Sequence, residues 1–315
     1  MWKTFAKLLE SYFYAWLILA VIIALIYPTP FLGWKNSISY FLGIVMFVNF
    51  LKIDVRDLVG NLKKPGLMLW LLGAQMLLVP TLLYVIALPF NHEVAVAFLL
   101  IAALPPGVAS AALVDLFKGN VSLALVLTML GHVVVPFTIP LLLWVLLGNS
   151  VMLPLLDIFK MLLMVIMIPL VLAYLTRRYA NKIISPLKPY FPLLVVGSLF
   201  MVVLVAVSLN ASYVRSNVIG LLGYFMVFVG LSLSFHALGW LMTWKQSGAT
   251  KIAAVVTLNY NNIALGILLA VQFFSPTVVL YTTIYEIIWN LLLPVSKTVF
   301  KLTKRPAAVE QIIPK

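Results

Sequence analysis

The sequence predicts an all-α polytopic membrane protein of about ten transmembrane helices, arranged as two inverted five-helix repeats, with helices four and nine broken at mid-span. Three observations carry this. Of the 315 residues, 64% are hydrophobic and only 9% charged, with a mean hydropathy of +1.15, whereas soluble domains carry about 25% charged residues. Apolar runs of 17 to 25 residues recur from end to end. Each is long enough to cross about 30 Å of hydrocarbon as a helix, while a β-barrel would show short alternating segments. Finally, two of the runs are interrupted near their centres, by "LPPGVAS" at 104–110 and by "NYNN" at 259–262.

The spans fall at about 11–28, 36–51, 66–89, 93–117, 121–147, 152–175, 189–210, 217–242, 250–273 and 276–299. The first is basic and then apolar, like a signal peptide. Its apolar part runs long and no A-x-A-type site follows, so it reads as a retained span. Connections are short, and residues 1–315 read as one transporter domain, with repeat 1 at about 1–148 and repeat 2 at about 149–305. There is no cysteine, which excludes disulfides, thiolate metal sites and cysteine nucleophiles.

The net charge of +13 is explained by position. With the N-terminus cytoplasmic, the inner segments hold 18 basic residues and the outer segments only Lys35 and Arg215. That is a strong positive-inside signal. The excess serves orientation and contact with anionic lipid in a plasma (inner) membrane, and is no nucleic-acid footprint. An even span count puts both termini inside, and five spans followed by five more place the halves in opposite orientations. Transporters built so bind at the midplane, where helices are discontinuous. At an offset of 154 residues Gly107 matches Asn261, Pro140 matches Pro294 and His132 matches Glu286.

Span four must break at Pro105-Pro106-Gly107, because proline removes an N–H and crowds the preceding turn. Irregular backbone at that depth is tolerated only inside protein or beside water. Half-helix ends there offer dipoles of both signs to a substrate or ion, which makes Pro106, Gly107, Val108 and Ala109 candidate substrate-binding residues. In span nine Asn259, Asn261 and Asn262 are poor helix formers that need partners in lipid.

The stretches "PPGVAS…GNVSLALVLT" and "TLNYNN" resemble the bile acid:sodium symporter family, and "FLGIVMFVNFLKIDV" and "AQMLLVP" extend the likeness over nearly the whole chain. The resemblance implies that spans four and nine cross at unwound centres. It also implies that a core of spans 3–5 and 8–10 moves against a panel of spans 1, 2, 6 and 7, and that two sodium ions sit beside the crossing. Carried over by position, Ser110, Thr128 and Gln75 are retained ion ligands, with Asn259 and Asn261 alongside, and Asn262 and Asn290 face the substrate cavity. The chain departs from the family at Ala111, where an asparagine is usual, at Ala124, where a serine is usual, and at Thr257, where an acidic residue touches both ions.

Three ionisable side chains lie deep: His132, His236 and Glu286. His132 follows Thr128 by one turn and shares its face. A His132–Glu286 pair could exchange a proton or simply lock two helices; His236 reads as packing glue. No nucleophile elbow, phosphate loop or metal-ligand spacing of histidines appears, so no enzyme is expected. The reading is a secondary transporter of a small organic anion such as a carboxylate or sulfonate, with sodium as co-substrate. A proton-coupled or uncoupled carrier, or a non-transporting membrane sensor, stands as the alternative.

Overall fold

The computed structural model of the protein describes residues 13–52, 65–148, 153–216 and 218–303. Of the basic residues that set the orientation, Lys3, Lys7, Arg56, Lys63, Lys64, Lys304, Arg305 and Lys315 lie outside them.

Helical segments stand at each of the ten apolar stretches. They are α1 (Phe13–Ile26), α2 (Ile38–Lys52, entered through a 3-10 helix at Thr29–Ser37), α3 (Pro65–Gly73), α4 (Val79–Ala87), α5 (His92–Ala103), α6 (Ser110–Leu116) and α7 (Val121–Leu147). There follow α8 (Leu155–Tyr179), α9 (Phe191–Leu209), α10 (Val218–Met242), α11 (Gly248–Asn259), α12 (Ile263–Phe273), α13 (Pro276–Leu291) and α14 (Leu293–Thr303). Among the described residues six helices are long and apolar enough to cross a membrane, and a seventh crossing results if α13 and α14, bent by 46°, form one span. The protein is a polytopic α-helical membrane protein.

Helix starts follow local chemistry. Asn91, Asn120, Ser247 and Ser275 each accept a backbone N–H from three residues on, at 3.0, 3.1, 3.4 and 3.4 Å, which satisfies a donor that a helix start leaves free. Pro276 occupies the first turn of α13, where its missing N–H removes nothing.

Burial separates two kinds of helix. Residues 263–271 of α12 are buried without exception, as are Val94–Ala97 and Leu99–Ala103 of α5. A helix apolar all round belongs inside. By contrast α1, α4, α8 and α10 present Ile22, Val85, Leu172 and Leu222 at the surface, the faces that lipid covers. In packing, α2 lies on α8 and α9, and α1 on α9; α5, α7, α10, α11, α12 and α13 surround the two breaks.

Candidate functional site

The two interruptions meet. Span four is broken between α5 and α6, and span nine between α11 and α12. Pro106 and Asn261 form an isolated antiparallel bridge, in which Gly107 N–H donates to the Tyr260 carbonyl at 2.8 Å and Asn262 N–H donates to the Pro105 carbonyl at 2.9 Å. Each break thus satisfies the backbone groups the other exposes, as burial demands. The approach is tight: a Cβ on Gly107 would stand 3.1 Å from the Tyr260 oxygen and 3.2 Å from the Asn261 oxygen, so the facing backbone would have to give by a few tenths of an ångström. On the far side Gly131 of α7 lies against the prolines, where a Cβ would be 3.0 Å from Pro106 Cδ. Neither the pairing register nor the role of Gly131 was legible in the sequence.

The three asparagines divide the work of a broken helix. Asn261 Nδ2 donates to the Ile101 carbonyl at 2.9 Å, closing the end of α5. Asn262 Oδ1 accepts Leu265 N–H at 3.4 Å and opens α12. Asn259 Oδ1 accepts from Ser232 Oγ at 2.8 Å and from the Tyr285 hydroxyl at 3.0 Å, tying the break to α10 and α13. Ser110 Oγ donates to the Tyr260 carbonyl at 2.9 Å. Val108 and Ala109 complete the irregular stretch, half-buried and exposed respectively, unlike the buried Pro106.

The deep ionisable residues find different partners from the ones their sequence positions suggest. His132 Nδ1 lies 2.8 Å from the Thr128 carbonyl and Nε2 lies 3.0 Å from Asn262 Nδ2. The Glu286 carboxylate accepts from Trp289 Nε1 at 2.9 Å. Among the described residues no hydrogen bond joins His132 to Glu286. Asn290 is buried, with its Nδ2 donating to the Glu286 carbonyl at 2.6 Å. His236 bridges the Ser232 carbonyl and Ser296 Oγ, at 2.8 and 2.9 Å, which suits packing glue.

The expected ion ligands sit on elements packed together. Span three changes from α to π geometry over Ala74–Leu78, a bulge of the kind found at functional sites. Pro80, with no N–H and a ring that crowds the carbonyl one turn back, accounts for the change. The bulge turns Gln75 toward α11, where its Nε2 donates to Thr257 Oγ1 at 2.8 Å. Thr257 spends its own proton on the Ala253 carbonyl at 2.9 Å. The buried Gln75 Oε1 and Thr128 Oγ1 are left without a hydrogen-bond partner. Each such orphan costs about 1–3 kcal/mol, and a bound hard cation would relieve it. Every oxygen in this set is neutral, which suits a monovalent cation better than a divalent one. Among the described residues no group of three His, Cys, Asp or Glu could hold a metal ion.

A cavity of about 1110 Å³ lies between the ends of α2 and α8, the start of α9 and Met129 of α7. Lys52, Arg177, Arg178 and Lys188 line it, with Phe50 and Met129 among its apolar walls. Its walls include neither Asn262 nor Asn290. Phe50 connects it to the crossing instead, with its ring edge-on to His132 at 5.4 Å.

Residues 39–217 match the model of the Sodium Bile acid symporter family. The chain belongs to this family. It is 25% identical over 282 residues, 88% of this chain and 86% of the relative, to a protein of Bacillus subtilis described as an uncharacterized sodium-dependent transporter, YocS. It is 30% identical over 179 residues to sodium/bile acid cotransporter 7 of Danio rerio, covering 53% of this chain and 52% of that one. A probable chloroplastic sodium/metabolite cotransporter of Oryza sativa is 26% identical over 67% of this chain and 53% of its own. Symporter-family membership agrees with a sodium co-substrate and with the absence of an enzyme motif in the sequence.

Proposed function

We propose that the protein is a sodium-coupled secondary transporter of a small organic anion, working by alternating access. The observation that carries this is the paired break with two orphaned buried oxygens, Gln75 Oε1 and Thr128 Oγ1, on helices packed around it. Freed backbone at mid-membrane is retained where it binds something. Sodium joins the neutral oxygens of Gln75, Thr128, Ser110, Asn259, Asn261 and Thr257. The substrate meets Pro106–Ala109, Asn262 and Asn290, with His132 and Glu286 in support rather than as proton carriers. Both imidazole nitrogens are already engaged, and the two side chains take separate partners. An anionic substrate is favoured by the four basic side chains of the adjoining cavity, which raise the local concentration of anions.

In this reading spans 1, 2, 6 and 7 form a panel and spans 3–5 and 8–10 a core, both termini are cytoplasmic, and the basic cavity opens inward in the plasma membrane. The two repeats are inverted copies. In support, Pro106 opposes Asn261, the residue that the 154 offset matches to Gly107, as expected if a two-fold axis passes through the crossing. The test is uptake into proteoliposomes of taurocholate and a panel of small carboxylates, under a sodium gradient alone and a pH gradient alone. Uptake driven by sodium is expected; uptake driven only by the pH gradient overturns the coupling.

A further inference from the structure

We propose that His132 is a positioning residue that holds the Asn262 amide in one orientation and links it to the Thr128 turn of α7. The inference rests on the reading above, in which Thr128 serves the ion and Asn262 the crossing, and it assigns the coupling between them to one imidazole.

The hydrogen-bond roles are fixed one by one. The Thr128 carbonyl can only accept, so Nδ1 of His132, 2.8 Å away, carries the proton. Asn262 Oδ1 is committed to Leu265 N–H as the cap of α12. Its Nδ2 therefore faces His132 Nε2 at 3.0 Å and can only donate. Nε2 is bare and accepts. Reversing the amide would set an oxygen against the Nε2 lone pair and take the side-chain bond from Leu265 N–H, which would keep only the Asn262 carbonyl at 3.0 Å, so the tautomer and the cap support each other. The groups touching the ring are the Thr128 carbonyl, Asn262 and the edge of Phe50, none of them charged.

The link is also where separate parts of the molecule converge. Met46 Sδ of α2 lies 3.5 Å from the same Asn262 Nδ2, and Phe50 of α2 lies against the ring. Helices α2, α7 and α12 thus meet at two side chains. A shift of the Thr128 turn on ion binding reaches Asn262 through one stiff ring, and any sliding of α2 disturbs the same pair. A buried imidazole with both nitrogens engaged transmits displacement well because neither bond can be exchanged for water.

Two substitutions separate the halves of the link. In His132→Gln the carboxamide oxygen reaches the place of Nε2 and keeps an acceptor for Asn262. In His132→Asn the shorter amide reaches only the place of Nδ1 and keeps the Thr128 bond alone. The full-length protein is examined by hydrogen–deuterium exchange in KCl and in NaCl. In KCl, residues 263–266 are expected to exchange about tenfold faster in His132→Asn, by loss of the cap's support, and at the wild-type rate in His132→Gln. In NaCl, wild type and His132→Gln gain protection there and His132→Asn does not. The wild-type imidazole ¹⁵N spectrum at neutral pH, assigned by difference against His132→Gln, should show Nδ1 protonated and Nε2 bare. Equal exchange in all three proteins, an Nε2–H tautomer or an imidazolium overturns the proposal. Wild type that ignores sodium defeats the transport coupling instead, while the comparison in KCl still decides the link. If His132→Asn does not fold, the wild-type ¹⁵N spectrum decides.

Discussion

The two breaks that meet are built from opposite chemistry. The first, Pro105-Pro106-Gly107, stops a helix by subtraction: two N–H groups are missing and one residue has no side chain. The second, Asn259–Asn262, stops a helix by addition, since its amides outcompete the backbone for partners. Subtraction leaves carbonyls without donors; addition brings donors to them. Pro105 O receives the N–H of Asn262, and Ile101 O receives the amide of Asn261. Two proline breaks would be short of donors, and two asparagine breaks would have less reason to unwind. The pairing therefore needs one of each.

The largest effect should come from the tight backbone approach at Gly107. In Gly107→Val the new carbons would press on the Tyr260 and Asn261 carbonyls. These are backbone atoms held from both sides, so relief means separating the breaks. A destabilisation of about 3 kcal/mol or more is expected, read as lost folded yield and a lowered Tm in detergent. A stable, active variant would show that the breaks do not need this approach.

Next comes the additive side. Asn261→Leu keeps the branching of the side chain and removes the donor to Ile101 O. That buried carbonyl then keeps only the longer bond from Leu104 N–H at 3.4 Å, and the loss should cost about 1 kcal/mol. A thermal-shift measurement should show the loss, and the variant should remain foldable. If Asn261→Leu is as stable as wild type, the amide is not closing α5.

Much of this architecture was open to a reading of the sequence, for physical reasons that also mark where reading stopped. Hydropathy places α7 at Val121–Leu147, the predicted span itself, because lipid admits few alternatives to an apolar helix. Proline and clustered asparagine mark the breaks because each acts locally. Which partner each asparagine takes is a tertiary matter and was not legible. The His132–Glu286 pairing shows the limit best. The 154 offset relates positions that are equivalent under the proposed two-fold, and equivalent residues touch only where they lie on the axis. Gly107 and Asn261 come together at the bridge, whereas His132 and Glu286 take separate partners. The π geometry at Gln75 was equally hidden, since its only sequence trace is Pro80, a residue that could as well have kinked an ordinary helix.

The ion set gives a prediction that leaves the breaks intact. Gln75→Leu removes an orphaned oxygen together with the donor to Thr257. Thr257 Oγ1 keeps its own bond to the Ala253 carbonyl, so no buried group is stranded without a partner, and the fold should survive with Tm within a few degrees. Sodium-dependent stabilisation should fall by about tenfold in apparent affinity, on the order of 1.4 kcal/mol. An unchanged sodium titration would remove Gln75 from the ligand set.

The smallest effect is expected on the subtractive side, at Pro106. Alanine at 106 restores an N–H and frees φ, but it cannot rejoin α5 to α6 by itself. Pro105 still precedes it, Gly107 N–H is still held by Tyr260 O at 2.8 Å, and Asn261 still closes α5. What changes is the unfolded chain, which gains freedom worth about 0.4–1 kcal/mol. The new N–H adds a small term of its own, since it must find an acceptor in a buried place. Pro106→Ala should therefore lose no more than about 1 kcal/mol and keep its response to sodium. The comparison sharpens if Asn261→Leu is then added. The double variant should lose more than the sum of the two single changes, because the sites touch and share one backbone bridge. Simple additivity in thermal unfolding would mean that the two breaks are held open independently, and that their opposite chemistries are not complementary.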